Sequence, residues 1–224
     1  MSGQQREWSC GLLLPLLVLS AAAVRADPST SYIVSGSTGA ALWGVGNQPG
    51  TEALIFAFNQ AVSVQAAAAA AAARARPPAP GPRVFFSVTQ WALAGDGWVL
   101  RQWYGDVPMT PPALVITPDL MQGTLDVTVP GTLVESRASG TTVQRGIPGR
   151  LQVTWTGSGD LANSTTAYTY QTALYTTTLQ SIGTGRLAAI AATITVPALG
   201  DPIPLWGAGS LGAVTTGSLN VTMQ

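Results

Sequence analysis

Arg83-Val-Phe-Phe-Ser-Val-Thr-Gln-Trp-Ala-Leu93, then Ala94-Gly-Asp-Gly97, then Trp98-Val-Leu-Arg-Gln-Trp-Tyr-Gly-Asp-Val107 is the stretch that decides the fold. Two apolar, β-branched and aromatic runs flank a short turn-forming segment, the signature of a β-hairpin. Pairing Leu93 with Trp98 sets the register, so that Trp91 faces Leu100, Gln90 faces Arg101 and Val88 faces Trp103. One face then carries Val84, Phe86, Val88, Val99, Trp103 and Val107, with Gln90 and Arg101 as its polar pair. The other carries Phe85, Ser87, Thr89, Trp91, Trp98, Leu100, Gln102 and Tyr104. Because side chains alternate with a period of two, a one-residue slip would exchange the faces. The Val-rich face is the better core candidate, with Gln90 and Arg101 at its rim.

The same period recurs on the C-terminal side. Leu125, Val127 and Val129 alternate with Asp126 and Thr128; Leu151, Val153 and Trp155 alternate with Gln152, Thr154 and Thr156. Ala188, Ile190, Ala192, Ile194 and Val196 share one parity, and so do Leu219, Val221 and Met223. Gly- and Pro-containing stretches separate these runs: Val129-Pro-Gly131, Gly146-Ile-Pro-Gly149, Gly157-Ser-Gly-Asp160, Gly183-Thr-Gly185 and Gly200-Asp-Pro202. Short half-buried strands with such breaks predict an all-β chain, an antiparallel sandwich or barrel in a single domain.

N-terminal to the hairpin the reading is mixed. Residues 53–65 carry Ile55, Phe56, Phe58, Val62 and Val64 and lead into eight alanines, Ala66–Ala73. Ala favours a helix, so a long helix capped by Thr51 competes with a strand to Gln65. The all-β surroundings favour the strand, followed by an Ala/Pro-rich insertion over 66–82, or a short helix at 66–75. Asn59, Gln60 and Gln65 argue against a membrane span over 53–73.

Residues 1–26 have the three-part layout of a cleavable signal peptide. Arg6 precedes the apolar run Gly11–Leu19, and a small-residue stretch ends at Ala26; cleavage follows Ala23 or Ala26. The mature domain is then 27–224, secreted or, in a two-membrane bacterium, periplasmic. Cys10, the single cysteine, leaves with the signal. The mature chain is therefore free of disulfides and of a lipid-anchoring thiol, and a chain of its size relies on a hydrophobic core.

Composition closes off much chemistry. The chain has no His, and its ten cations are all Arg. Ser-His-Asp and Cys-His catalysis, His- or Cys-ligated metal and Lys Schiff bases are ruled out for the mature chain. Gly-rich dinucleotide and phosphate loops are missing, and no cofactor is implied. Charges are sparse and balanced, with only Arg74, Arg76 and Arg83 grouped, which argues against nucleic acid as a partner.

Three kinds of site remain. Asp96, Asp106, Asp119, Asp126, Glu135 and Asp160 are candidates for paired-carboxylate glycoside hydrolysis, although most read as solvated surface acids. Asp160 with Asn163 and Ser164 is a weak calcium candidate. Trp91, Trp98 and Tyr104, beside Thr89 and Gln102, would stack on sugar rings if their face is exposed, and would be core under a second sheet if it is not. Tyr168 and Tyr170 share parity and would extend such a surface.

Leu125-Asp-Val-Thr-Val-Pro130, Val153-Thr-Trp-Thr-Gly-Ser-Gly-Asp-Leu161 and Gly183-Thr-Gly-Arg-Leu-Ala-Ala189 together resemble a group of secreted bacterial β-rich proteins with a Val-Thr-Trp-Thr-Gly-x-Gly-x-Leu signature. The resemblance covers residues 83–224. It implies export and all-β structure and carries over no active-site residue. The signature also has a physical reading: an inward Trp155 at a strand end, followed by a glycine turn. Three roles follow, and catalysis is not the favoured one. The first is a non-enzymatic exterior binding or structural domain. The second is a carbohydrate-binding module or carboxylate hydrolase. The third is a matrix component whose partner is its own copy, as sparse charge and apolar faces suggest.

Overall fold

The computed structural model describes residues 29–47, 50–59, 62–67, 81–95, 97–171 and 175–223. The signal peptide expected over 1–26 and most of the Ala/Pro-rich insertion lie outside them. The strands in chain order are β1 (Ser29–Val34), β2 (Ser37–Gly46), β3 (Thr51–Asn59), β4 (Val62–Ala67), β5 (Arg83–Ala94) and β6 (Gly97–Pro108). They continue with β7 (Leu114–Ile116), β8 (Gln122–Arg137), β9 (Gly140–Gln171), β10 (Tyr175–Thr195) and β11 (Ile203–Met223). A 3-10 turn, Pro197–Leu199, joins β10 to β11.

The chain is all-β, and its sheet closes on itself. Antiparallel pairing runs β2-β3-β5-β6-β8-β9-β10-β11, and β11 pairs back onto β2. That ring is a meandering barrel of eight strand positions, a size at which side chains fill the interior. Within that ring, closure leaves no sheet edge. β1 and β4 prolong β2 and β3: β1 pairs with residues 217–222 of β11, and β2 with residues 205–214. β7 prolongs β6 along β8 in the same way. Beyond Thr156, β9 leaves β8 behind, and the β9–β10–β11 ladder runs on to Gln171 and Met223.

The hairpin at 83–107 forms in the predicted register, with Leu93 opposite Trp98, Gln90 opposite Arg101 and Val88 opposite Trp103. The Val-rich face points inward: Val84, Phe86, Val88, Val99 and Trp103 are buried with Leu42, Ile55, Leu125, Leu151, Trp155 and Ile194. Thr51–Asn59 and Val62–Ala67 are strands rather than parts of a long helix, β4 ending two residues past Gln65. Pairing of β3 to β2 and β5 satisfies its backbone, which outweighs the helical preference of the alanines that follow.

The strands are longer than the glycine and proline pattern suggests. Of the five expected breaks, only Gly200-Asp-Pro202 is a connection; β8, β9 and β10 run through the others. Two of them serve Trp103. A Cβ at position 131 would lie 2.2 Å from its Nε1, and one at 149 would lie 2.3 Å from its Cζ2. Gly131 and Gly149 therefore hollow the wall so that one indole fits across the barrel, where it lies 4.1 Å from the Phe86 ring and donates from Nε1 to the Ile147 carbonyl at 3.1 Å. Burying an indole removes about 150–250 Å² from water, worth at most roughly 4–6 kcal/mol.

The reading of Trp155 is likewise corrected. It is fully buried but sits mid-strand in β9, its Nε1 donating to the Ala41 carbonyl at 2.8 Å. Gly157-Ser-Gly159 is not a turn but leads into a bulge of the ladder, with Ser158 still opposite Leu187 and pairing resumed at Ala162; Gly157 donates to the Met121 carbonyl, and the Gly159 carbonyl accepts from Arg186.

Candidate functional site

With Trp103 and Trp155 inside, the tryptophans of opposite parity stand outside. Trp43, Trp91, Trp98 and Trp206 are 54%, 49%, 64% and 55% exposed. Full burial of an indole is worth at most roughly 4–6 kcal/mol, so each forgoes part of that gain.

Trp91 and Trp98 meet at the end of the barrel where the β5–β6 hairpin turns. They are diagonal neighbours across the Leu93–Trp98 and Trp91–Leu100 pairs, roughly 7–8 Å apart along the sheet. Gly50, just before β3, packs against Trp91, whose amide donates to the Gly50 carbonyl at 3.1 Å. Leu199, on the 3-10 turn, closes the far side. The result is an open groove of about 840 Å³, with Trp91, Ala92, Leu93, Trp98 and Leu199 as its apolar lining and Gln90 and Arg101 as its polar residues.

Both polar residues belong to the inward parity of the hairpin and lie where the core meets the mouth. Gln90 is buried. Arg101 donates from Nε to Glu135 Oε2 at 2.6 Å, and Arg137 donates to Glu135 Oε1 at 2.7 Å. Hydrogen bonds from Arg137 and then Arg101 hold the Glu135 carboxyl below its ordinary value. The groove therefore presents indole and aliphatic surface beside an arginine that shares the Glu135 carboxylate with Arg137.

Tyr104 does not line this groove. It lies farther along β6, opposite Ser87 and Thr132, and is 38% exposed. The side chains of Tyr168 and Tyr170 lie outside those described. Asp160 and Asn163 are both exposed on β9, and no three His, Cys, Asp or Glu gather within reach of one ion among the described residues.

The candidate carboxylates are dispersed, and most are engaged. Asp106 pairs with Arg83 at 2.8 Å. Asp126 takes two hydrogen bonds from Arg150, at 2.8 and 2.7 Å, and its carboxyl is lowered by them. Asp119 caps its own turn, accepting from the Thr117 hydroxyl and the Met121 amide, which lower it as well. Asp96 lies outside the described residues.

Sequence reasoning passed over Trp43 and Trp206. The signal was parity: each follows a leucine, Leu42 and Leu205, that faces the core. Trp206 borders a second groove, of about 570 Å³, on the flank of the barrel. No family model, curated protein or solved structure matches the chain.

Proposed function

We propose that this chain is a non-enzymatic binding domain of the cell exterior that holds a flat, ring-bearing ligand against Trp91 and Trp98. One observation carries the reading: two exposed indoles, Trp91 and Trp98, line one groove together with the exposed Leu93. Stacking on an indole suits the weakly polar face of an aromatic or saturated ring, and a groove with few polar groups fixes orientation through those few.

The carboxylates favour binding over hydrolysis. A glycosidase acid must hold its proton near neutrality, which requires a raised pKa. The shifts at Asp119, Asp126 and Glu135 run the other way. The exterior setting rests on the signal-peptide pattern of residues 1–26. Apolar side chains fill the barrel, while its outer face carries both the polar cluster of Asp126, Arg150 and Gln152 and exposed tryptophans. No described helix is long and apolar enough to cross a membrane.

The test is a fluorescence titration with N-phenyl-1-naphthylamine, a neutral flat aromatic probe. Saturable binding near one probe per chain is expected, with loss of affinity of at least tenfold in the W91A/W98A double variant. Unchanged probe affinity in that variant would refute the site.

A further inference from the structure

We propose that the flank of the barrel carries a second binding site, for a neutral saccharide, in the groove between Trp206 and the polar ladder of β8 and β9. The site is assembled by register and stands apart from the groove at the barrel mouth. On the outer face, Ala191 of β10 pairs with Thr154 of β9, which pairs with Thr124 of β8. In the next row Pro204 pairs with Thr193, Thr193 with Gln152, and Gln152 with Asp126. Trp206 lies one residue beyond Leu205, the partner of Ala192, and so stands beside Ala191.

Small Ala191 thus leaves a trough with an indole on one bank and hydroxyl, amide and carboxylate groups on the other. Two strand spacings make it about 10 Å across, wide enough for a sugar ring set against the indole. The chemistry of the polar bank matches a polyol. Thr124 and Thr154 present exposed hydroxyls, each able to donate and accept. Gln152 donates to Asp126 at 3.3 Å, which leaves its second N–H and its carbonyl free to meet a ligand.

Asp126 and Arg150 are locked to each other by two parallel hydrogen bonds, so they offer the remaining N–H groups and lone pairs of a net-neutral, planar unit. A charged ligand meets no unmatched charge in that pair; a neutral sugar needs none. A sugar ring also has the apolar C–H face that an exposed indole accepts. Neighbouring Trp43 and Val45 widen the apolar bank, which makes a second copy of the chain the competing occupant.

The experiment is calorimetric and ligand-observed NMR titration of the protein with cellohexaose, xylohexaose, mannohexaose, laminarihexaose and chitohexaose, and with hexagalacturonate as the charged comparison. At least one neutral oligomer is expected to bind saturably. W206A and Q152A each weaken it at least tenfold, W206F retains it within about threefold, and W91A/W98A leaves it within twofold. Near-ultraviolet circular dichroism of each variant checks that the barrel is intact. The proposal is overturned if no neutral oligomer binds at millimolar concentration, if hexagalacturonate alone binds, or if W206A leaves affinity unchanged. It is equally overturned if no oligomer binds and W206A instead abolishes self-association in sedimentation.

Discussion

Replacing Gly131 with Ala adds one methyl group where the barrel has none to spare. The new Cβ would fall 2.2 Å from Nε1 and 2.6 Å from Cε2 of Trp103, closer than side-chain atoms approach each other. The indole has no retreat, because Gly149 packs on its other end, with a notional Cβ 2.3 Å from Cζ2, and the Phe86 ring lies 4.1 Å away. Overpacking a rigid core costs about 1–3 kcal/mol. Breaking the bond from Trp103 Nε1 to the Ile147 carbonyl leaves a buried donor unpaired, at about 1–3 kcal/mol more. Removing a glycine from the unfolded chain returns up to about 1 kcal/mol. The expected loss is therefore about 1–6 kcal/mol, to be set against the 5–15 kcal/mol typical of a whole domain. The assay is urea unfolding followed by tryptophan fluorescence. Gly81→Ala, where a Cβ meets nothing within 4 Å, is the control and should stabilise by no more than about 1 kcal/mol, through the unfolded chain alone. Gly131→Ala within that same margin would refute the packing described for Trp103.

Three further outcomes follow from the inside–outside sorting. Leu42→Asn should cost more than about 3 kcal/mol and Trp43→Asn less than about 1 kcal/mol in the same unfolding assay, since one side chain is core and its neighbour stands outside. Trp155→Phe should cost about 1–3 kcal/mol, because it removes the donor to the Ala41 carbonyl and leaves space in the core. Glu135 is held below its ordinary value by Arg137 and Arg101, so its contribution is present above the unfolded value, near 4.5, and fades as pH falls through the folded one. Glu135→Gln should flatten the acid limb of stability against pH by no more than about 1 kcal/mol, as befits a pair near the surface; an unfolding series between pH 6 and pH 2.5 measures it.

How far the fold was legible depended on whether its determinants were local. The hairpin register followed from two alternating runs and a fixed turn, and every pair named from Val88–Trp103 to Leu93–Trp98 is formed. Parity also located Trp103 and Trp155 in the core. The length of β8, β9 and β10 was not legible, because glycine and proline usually punctuate. Here Gly131 and Gly149 answer an indole arriving from β6, a contact that sequence spacing does not reveal. Closure was undetermined for a related reason: a sandwich and a barrel share one alternation, and the β11–β2 pairing spans the whole chain. The mouth groove was half legible, since Trp91 and Trp98 share a hairpin, whereas Gly50 and Leu199 come from distant turns. The flank groove was not, because its rows cross β8, β9, β10 and β11.

The most direct test of the binding reading labels every tryptophan with 5-fluorotryptophan and follows the fluorine spectrum during titration with N-phenyl-1-naphthylamine. Single Trp→Phe variants assign the resonances. The resonances of Trp91 and Trp98 should move together and saturate, while those of buried Trp103 and Trp155 and of distant Trp206 stay in place. Movement of Trp103 or Trp155 with Trp91 and Trp98 unmoved would contradict the account, and so would a titration in which no tryptophan responds.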